Sequence, residues 1–346
     1  MLLGAVNAGC TNFRPPPPPV PAANAGDPPP ELWHKDVGRG IFAPVALDDS
    51  TLYVAGSDRR VAAVRLADGE RRWHDRFGGA ILGGIIREGR RLYVATGRPD
   101  GKVRALQTTD GKSIWDRSIG PVGVPLALIG GQLIALTEAG GVVALDTAQG
   151  AIRWRRRVGP ARAPAIGIGG AILVSTVDSL FRLSADSGRV LARRPSPGTV
   201  LAGWKAEGDL LVAGTTSAEV VALHPQDLSS AWRVKLDAPV FTAPALRGDT
   251  AYVVSRLGTL YRLALGASAP TPEVVARLGW PVTVGPVLVG GDILLGGADG
   301  ILRGLDHQGR ERWRVAIWQP IDVPPLPLSD GFLALGGNGD LHRFGQ

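Results

Sequence analysis

The sequence predicts an all-β protein: an eight-bladed β-propeller whose four-stranded antiparallel blades form one closed ring. Six tryptophans fall on a grid with a spacing of about 40 residues along the chain. They are Trp33, Trp73, Trp115, Trp154, Trp232 and Trp313. Short turns between apolar runs keep the same interval, from residues 48–50 to residues 330–331. A repeat of this length that holds several short strands is typical of one propeller blade.

Each repeat contains the elements of one blade. In residues 122–160, apolar runs at 124–129, 132–137, 142–146 and 151–157 are separated by turns rich in Gly and Asp. Such residues favour hairpin turns because they accept positive φ angles. The other complete units are residues 43–79, 81–121, 161–198, 199–238, 239–280 and 281–319.

The last unit, residues 320–346, supplies only three strands. The missing outer strand is predicted at residues 32–37, which carry Trp33. The N-terminal strand is therefore expected to complete the C-terminal blade and close the ring, which leaves no open sheet edge. This division gives a tail at residues 1–30 and a single propeller at residues 31–346.

The spaced tryptophans are predicted to dock between neighbouring blades, where each buries on the order of 200 Å². The fourth and sixth units lack one: Ala192 takes its place in the fourth, and Val274 or Val275 in the sixth. These two junctions are expected to pack less tightly. Trp204, Trp280 and Trp318 lie off the interval and are either core residues or exposed functional aromatics.

The formal net charge of +7 comes almost wholly from arginine. Basic groups such as residues 155–157 could meet an acidic partner, but their stems can also cover apolar surface beside the outer tryptophans. No aromatic stacking platform accompanies them, so nucleic acid is not an expected partner. No apolar run approaches the ~20 residues that span a bilayer.

Cys10 is the single cysteine, so internal disulfides and multi-cysteine metal sites are excluded. The stretch Ala8-Gly9-Cys10 ends a short run of small and apolar residues and resembles the end of a bacterial lipoprotein signal. Cys10 is predicted to be lipid-modified, with the true start of translation further upstream; the alternative is an ordinary cysteine in a tail. Five prolines at residues 15–19 then predict a semi-rigid spacer.

No constellation of residues indicates catalysis. The acids mostly occupy repeated turn positions, as in Asp68, Asp110 and Asp227. The five histidines are scattered in sequence, without metal-ligand spacing. The sequence therefore predicts no catalytic residue, no metal and no cofactor.

The segment at residues 144–154, Ala-Leu-Asp-Thr-Ala-Gln-Gly-Ala-Ile-Arg-Trp, resembles the tryptophan-docking motif of quinoprotein (PQQ-like) propellers. Further copies lie at 105–115 and 63–73, and weaker ones at 222–232 and 304–313. Within that superfamily, eight short blades after a lipoprotein-like start resemble the BamB-like outer-membrane assembly lipoproteins. The resemblance implies a non-enzymatic periplasmic scaffold at the outer membrane, held by a lipid anchor. It would bind a BamA-like barrel subunit and assist unfolded outer-membrane proteins.

In that family the partner contacts lie on the connections between blades three and four and between blades four and five. Arg162 matches the family's arginine, but its leucines have no counterpart in residues 158–163. The acidic pair of the second connection is missing from residues 195–199. The contacts predicted here are Arg162, Arg193 and Arg194, with salt-dependent steering of an acidic partner surface.

Two other functions stay open at this point. One is a generic propeller adaptor in another envelope complex. The other is a PQQ-dependent dehydrogenase, which needs Ca²⁺ in a cage of oxygen ligands. The large alcohol dehydrogenases of the superfamily also use a vicinal disulfide, which a single cysteine cannot form.

Overall fold

The predicted propeller is confirmed by a computed structural model, which describes residues 26–38, 40 and 45–345. Every regular element of these residues is a β-strand, and the strands form eight four-stranded antiparallel sheets. Cys10 and the proline spacer lie outside the described residues.

The strands are numbered in chain order. They are β1 (Glu31–Asp36), β2 (Ala46–Leu47), β3 (Thr51–Ala55), β4 (Arg60–Arg65), β5 (Arg71–Arg76), β6 (Ile85–Glu88), β7 (Arg91–Ala95), β8 (Lys102–Gln107), β9 (Ser113–Ser118), β10 (Ala127–Ile129), β11 (Gln132–Leu136), β12 (Gly141–Asp146), β13 (Ile152–Arg157), β14 (Ile166–Ile168), β15 (Ala171–Ser175), β16 (Ser179–Ser184), β17 (Val190–Pro195), β18 (Lys205–Glu207), β19 (Leu210–Gly214), β20 (Glu219–Leu223), β21 (Ser230–Lys235), β22 (Ala245–Arg247), β23 (Thr250–Val254), β24 (Thr259–Ala264), β25 (Glu273–Arg277), β26 (Val282–Val289), β27 (Asp292–Gly297), β28 (Ile301–Leu305), β29 (Glu311–Ala316), β30 (Leu326–Leu328), β31 (Gly331–Leu335) and β32 (Asp340–Gly345).

Blades 1 to 7 are consecutive groups of four strands, starting with β2–β5 and ending with β26–β29. Blade 8 combines both ends of the chain in the order β30, β31, β32, β1. In its outer pair His34 faces His342 and Asp36 faces Asp340. The first strand therefore closes the ring, as the sequence predicted.

The core consists of eight apolar clusters, each lying between two neighbouring blades. Strand β11 shows why four consecutive residues of one strand, 133–136, are all apolar. Leu133 and Ala135 pack toward blade 2, whereas Ile134 and Leu136 pack toward blade 4. Successive side chains of a strand point to opposite faces, so a strand with a blade on each side needs apolar residues at every position.

Four of the spaced tryptophans dock on the next blade in the same way. Their indole Nε1 atoms donate hydrogen bonds of 2.7–3.2 Å to carbonyl oxygens in the turn between the third and fourth strands of that blade. The pairs are Trp33 with Leu66, Trp73 with Thr108, Trp115 with Thr147, and Trp154 with Ala185. The glycine of the same turn makes this possible: a Cβ on Gly150 or Gly188 would collide with the indole ring.

Trp232 and Trp313 differ because the next blade lacks that turn. The turn after β24 is longer, and the Nε1 atom of Trp232 is buried without a hydrogen-bond partner among the described residues. No turn joins β32 to β1, which are at opposite ends of the chain. The Nε1 atom of Trp313 instead donates a hydrogen bond of 2.8 Å to the Asp292 carboxylate of its own blade. The Trp313 ring also stacks on the Phe332 ring, with the centroids 5.7 Å apart.

In the two blades without a spaced tryptophan, the strand register confirms the predicted replacement in blade 4 and contradicts the one in blade 6. In blade 4, Ala192 faces Arg182, the position that the sequence predicted. In blade 6 the matching position, opposite Arg262, is taken by Glu273 and not by Val274 or Val275. The longer turn before β25 shifts the bulge of this strand pair, and Glu273 forms a 2.6 Å ion pair with Arg262.

Two of the off-interval tryptophans lie in the junctions that follow these two blades. Trp204 is buried between blades 4 and 5 and donates a hydrogen bond of 2.6 Å to the Ser175 hydroxyl. Trp280 packs between blades 6 and 7, where the guanidinium of Arg303 lies 4.0 Å from its ring centroid. Trp204 is therefore a core residue and Trp280 is half-buried in its junction, whereas Trp318 is exposed.

A largely buried ion pair stabilises blade 2. Arg104 contacts Asp100 at 2.6 Å and lies over the Phe77 ring. The Arg104 guanidinium holds the pKa of the Asp100 carboxyl below its ordinary value, against the opposing effect of burial. Because the folded-state pKa is the lower one, the pair stabilises the fold fully above the unfolded pKa, near 4. That contribution is lost as the pH falls through the folded-state pKa.

We expect Asp100→Asn to lower the free energy of unfolding by about 3 kcal/mol at pH 7, because Arg104 stays buried without its counter-charge. The difference from the native chain should be smaller at pH 3, because below about pH 4 the unfolded native chain takes up a proton at Asp100 and the contribution of the pair declines. Urea unfolding at the two pH values measures this, with the exposed Asp209→Asn as the control. A difference that is equally large at both pH values would contradict the prediction.

Candidate docking surface

Equivalent residues of the inter-blade connections surround one mouth of the central channel. Each connection runs from the outermost strand of one blade to the innermost strand of the next. In the seven connections that the structure describes completely, one residue at or directly after the connection recurs at intervals of about 40 residues and lines the mouth; Thr283 is already in the first strand of its blade. These residues are Leu82, Gly123, Arg162, Leu201, Phe241, Thr283 and Asp322. The cavity that they line has a volume of about 760 Å³.

The mouth is mainly apolar. Leu82, Leu201 and Phe241 are all exposed there, and their neighbours in the wall are chiefly Ala, Val, Leu and Pro. Among the described lining residues the charged side chains are Arg162, Lys205 and Asp322. Burial raises the pKa of the Asp322 carboxyl. The surface thus combines an apolar floor with a few charges, a composition found at the centre of protein–protein interfaces.

More apolar side chains lie outside the mouth on the same side of the ring. We call this side the connection face; it consists of the inter-blade connections and the turns between the second and third strands of each blade. Val177 and Leu257 occupy such turns in blades 4 and 6 and are exposed. Trp318 lies in the connection from blade 7 to blade 8 and is 58% exposed. A large aromatic left in water is a common anchor for a binding partner.

Trp318 also has an unfavourable backbone conformation. Its φ angle is 62°, in the left-handed region that normally suits glycine. The matching positions of three other connections are glycines with positive φ: Gly120, Gly159 and Gly279. Placing an exposed tryptophan where the fold favours glycine costs of order 1 kcal/mol. Backbone strain of this kind is concentrated at functional sites.

The opposite side of the ring, the hairpin face, consists of the turns between first and second and between third and fourth strands. Its turns are polar, and acids lie in them or at the strand ends beside them, such as Asp48, Glu88 and Asp146. Among the described residues, exposed large apolar side chains lie on the connection face or on outermost strands. Those on outermost strands are Leu32, Ile114, Val190, Leu191 and Val274. The apolar character of the ring's flat surfaces is therefore confined to one side.

The three arginines predicted as partner contacts do not form one cluster. Arg162 lines the mouth and is exposed. Arg193 lies on the outermost strand of blade 4, donates to the Ser179 hydroxyl at 3.1 Å and covers the Phe181 ring. Arg194 is exposed beside it. Arg162 alone of the three belongs to the apolar mouth.

Ring closure brings together two histidines that are far apart in sequence. His34 and His342 form a stacked contact, with their ring centroids 5.5 Å apart. Glu31 contacts both rings. The two histidines come from the two ends of the chain, so their separation in sequence concealed the contact.

Among the residues that the structure describes, none belongs to a helix with the length and apolar character to cross a membrane.

Solved structures share this architecture. BamB from Moraxella catarrhalis is 16% identical, with a TM-score of 0.76, and the match covers 92% of this chain and 100% of that one. The Saccharomyces cerevisiae protein Sqt1 is 12% identical, with a TM-score of 0.77 over 92% and 99% of the two chains. The computationally designed protein Ika8 matches at 11% identity and a TM-score of 0.77 over 91% and 99%. At these identities the likeness shows the fold alone. No curated protein sequence matches the chain significantly.

The repeated docking motif and the eight closed blades define a PQQ-like β-propeller. The model of one family, described as outer membrane protein assembly factor BamB, matches residues 25–166, 99–193 and 176–323. These matches extend over most of the chain, and the chain belongs to this family.

Proposed function

We propose that this chain is a non-enzymatic docking subunit of the β-barrel assembly complex, at the periplasmic side of the outer membrane. Its partner is a BamA-like barrel subunit, and the complex assists unfolded outer-membrane proteins. Family membership supports the pathway. The observation that carries the docking role concerns the two flat surfaces of the ring: among the described residues, exposed large apolar side chains lie on the connection face and not on the hairpin face. We further propose that Cys10 carries a lipid anchor.

The chemistry of the mouth favours binding over catalysis. A PQQ site with Ca²⁺ needs several carboxylate and carbonyl oxygens that converge on the ion. Asp322 is the single carboxylate among the described lining residues. The apolar wall and the cations Arg162 and Lys205 instead suit a partner loop that carries apolar residues beside an acidic one.

We expect Trp318→Gly to weaken partner binding at least about tenfold, because an interface anchor of this size contributes 2 kcal/mol or more. The free energy of unfolding should change by less than about 1 kcal/mol, because two effects oppose each other. Glycine relieves the left-handed backbone strain but raises the conformational entropy of the unfolded chain. Binding to the purified periplasmic domains of the BamA-like subunit is measured by calorimetry, and stability by urea unfolding.

The matched control is Ile114→Thr, which removes an exposed apolar residue from an outermost strand and should leave the affinity unchanged. If the native chain does not bind the BamA-like domains, the proposed partner is wrong and an adaptor role in another envelope complex takes its place. If it binds and Trp318→Gly binds equally well, the Trp318 anchor is wrong.

A further inference from the structure

Ring closure places three potential metal ligands on one side of the strand pair β1–β32. His34 lies directly opposite His342 in the register of the two strands, so both side chains project to the same side. Residues three apart in a regular strand point to opposite sides. A register shift between Glu31 and Trp33 inserts one extra residue, and Glu31 therefore joins His34 on that side.

The ligand atoms converge. The Oε1 atom of Glu31 lies 2.8 Å from Nδ1 of His342 and 3.2 Å from Nδ1 of His34. All three ligand atoms lie within 4.8 Å of one another. Tetrahedral Zn²⁺ with bonds of about 2.0–2.2 Å holds its ligand atoms roughly 3.3 Å apart. The cluster therefore needs only small side-chain rotations to receive an ion.

The packing of the cluster resembles that of an open metal site. His342 is 8% exposed, and its ring stacks between the His34 and Phe344 rings, which fixes its orientation. Glu31 and His34 are exposed, so the fourth coordination position faces water. Two imidazoles and one carboxylate with an open position suit borderline ions of the Zn²⁺ class, whereas Mg²⁺ and Ca²⁺ prefer oxygen ligands alone.

The cluster is specific to the closing strand pair. His74 follows Trp73 on β5 of blade 1 as His34 follows Trp33 on β1. Its cross-strand neighbour, however, is Ala62 and not a second histidine. Blade 1 therefore offers one exposed histidine in the same setting but no converging ligands.

We propose that Glu31, His34 and His342 bind one divalent transition-metal ion, with Zn²⁺ as the reference ion, and that the ion fastens β1 to β32. The site exists only while the first strand is paired with the last. An ion that binds this arrangement and not the unfolded chain raises the stability of the closed ring by mass action. This inference is independent of the proposed docking role.

The test uses the tag-free, full-length chain, stripped of metal with a chelator and titrated with Zn²⁺ by calorimetry and in thermal unfolding. We expect one ion per chain and a rise of about 3–6 °C in the unfolding midpoint at saturation. Mg²⁺ at the same concentration should cause no shift. No Zn²⁺ binding, or binding without a rise in the midpoint, would overturn the proposal.

Two exposed substitutions identify the ligands without disturbing the core. His34→Gln and Glu31→Gln should each reduce the affinity at least about tenfold and remove most of the thermal shift. His74→Gln is the matched control and should bind Zn²⁺ as the native chain does. An equal loss in His74→Gln and His34→Gln would assign the ion to nonspecific histidine binding and refute the site.

Discussion

A chain that begins at residue 38 is expected to lose more than about 5 kcal/mol of its free energy of unfolding. It lacks β1, so the edge of β32 becomes an unpaired strand. It also lacks Trp33, whose removal from a packed junction costs about 3–5 kcal/mol by itself. Trp33 and Val37 pack against the apolar cluster between blades 8 and 1, which the deletion opens to water.

Urea unfolding and size-exclusion chromatography measure this effect. The control chain begins at residue 28 and keeps β1 together with the hydrogen bond from Gly345 to the Pro30 carbonyl. We expect the control to unfold at the midpoint of the full chain and to remain monodisperse. If the two shortened chains have the same midpoint, the first strand does not close the ring.

Trp154→Ala should reduce the free energy of unfolding by about 3–5 kcal/mol. Trp154 is 8% exposed and belongs to the cluster between blades 3 and 4. Its removal leaves a cavity beside Gly188, and the Ala185 carbonyl loses its 2.7 Å hydrogen bond. Trp154→Phe should recover part of the loss, because it refills part of the cavity with an aromatic ring but does not restore the hydrogen-bond donor.

The control for this series is Trp318→Ala. Trp318 is the exposed tryptophan of the connection face, and alanine has the same difficulty with its left-handed backbone. Its substitution should therefore change the stability by no more than about 0.5 kcal/mol. A loss in Trp154→Ala as small as that in Trp318→Ala would show that the spaced tryptophans do not hold the blades together.

The fold could be predicted because it is repetitive. Spaced tryptophans and turns report the same blade geometry many times, and single deviations do not obscure the interval. Where one repeat changed length, the prediction failed: the long turn before β25 moved the bulge and placed Glu273 opposite Arg262. A count along the chain cannot follow a shift in strand pairing.

Sequence reasoning reached one residue of the mouth, Arg162, but missed the others for a different reason. The equivalent positions of the mouth hold different side chains, such as Leu82, Arg162 and Asp322, because the backbone repeats there but the chemistry does not. The signal that could have revealed it is the buried apolar residue just before most of these positions, for example Ile81 and Ile321.

The contact between His34 and His342 could also have been predicted from the sequence. The predicted closure already placed the first strand beside the last unit, and writing out the antiparallel register would have set His34 opposite His342. The register shift that brings Glu31 to the two histidines is a local backbone feature, and the residue types at positions 31–33 do not predict it.

The direction of β1 places its N-terminal end at the hairpin face of the ring. Glu31 pairs with Phe344 near the hairpin face, whereas Asp36 pairs with Asp340 near the connection face. The residues just before β1 border the hairpin-face turns of blades 7 and 8, where Pro28 and Pro30 share a groove with Asp292 and Ser329. Under the proposed lipid anchor at Cys10, the hairpin face would be the side nearer the lipid headgroups, and the connection face would be turned toward the aqueous compartment.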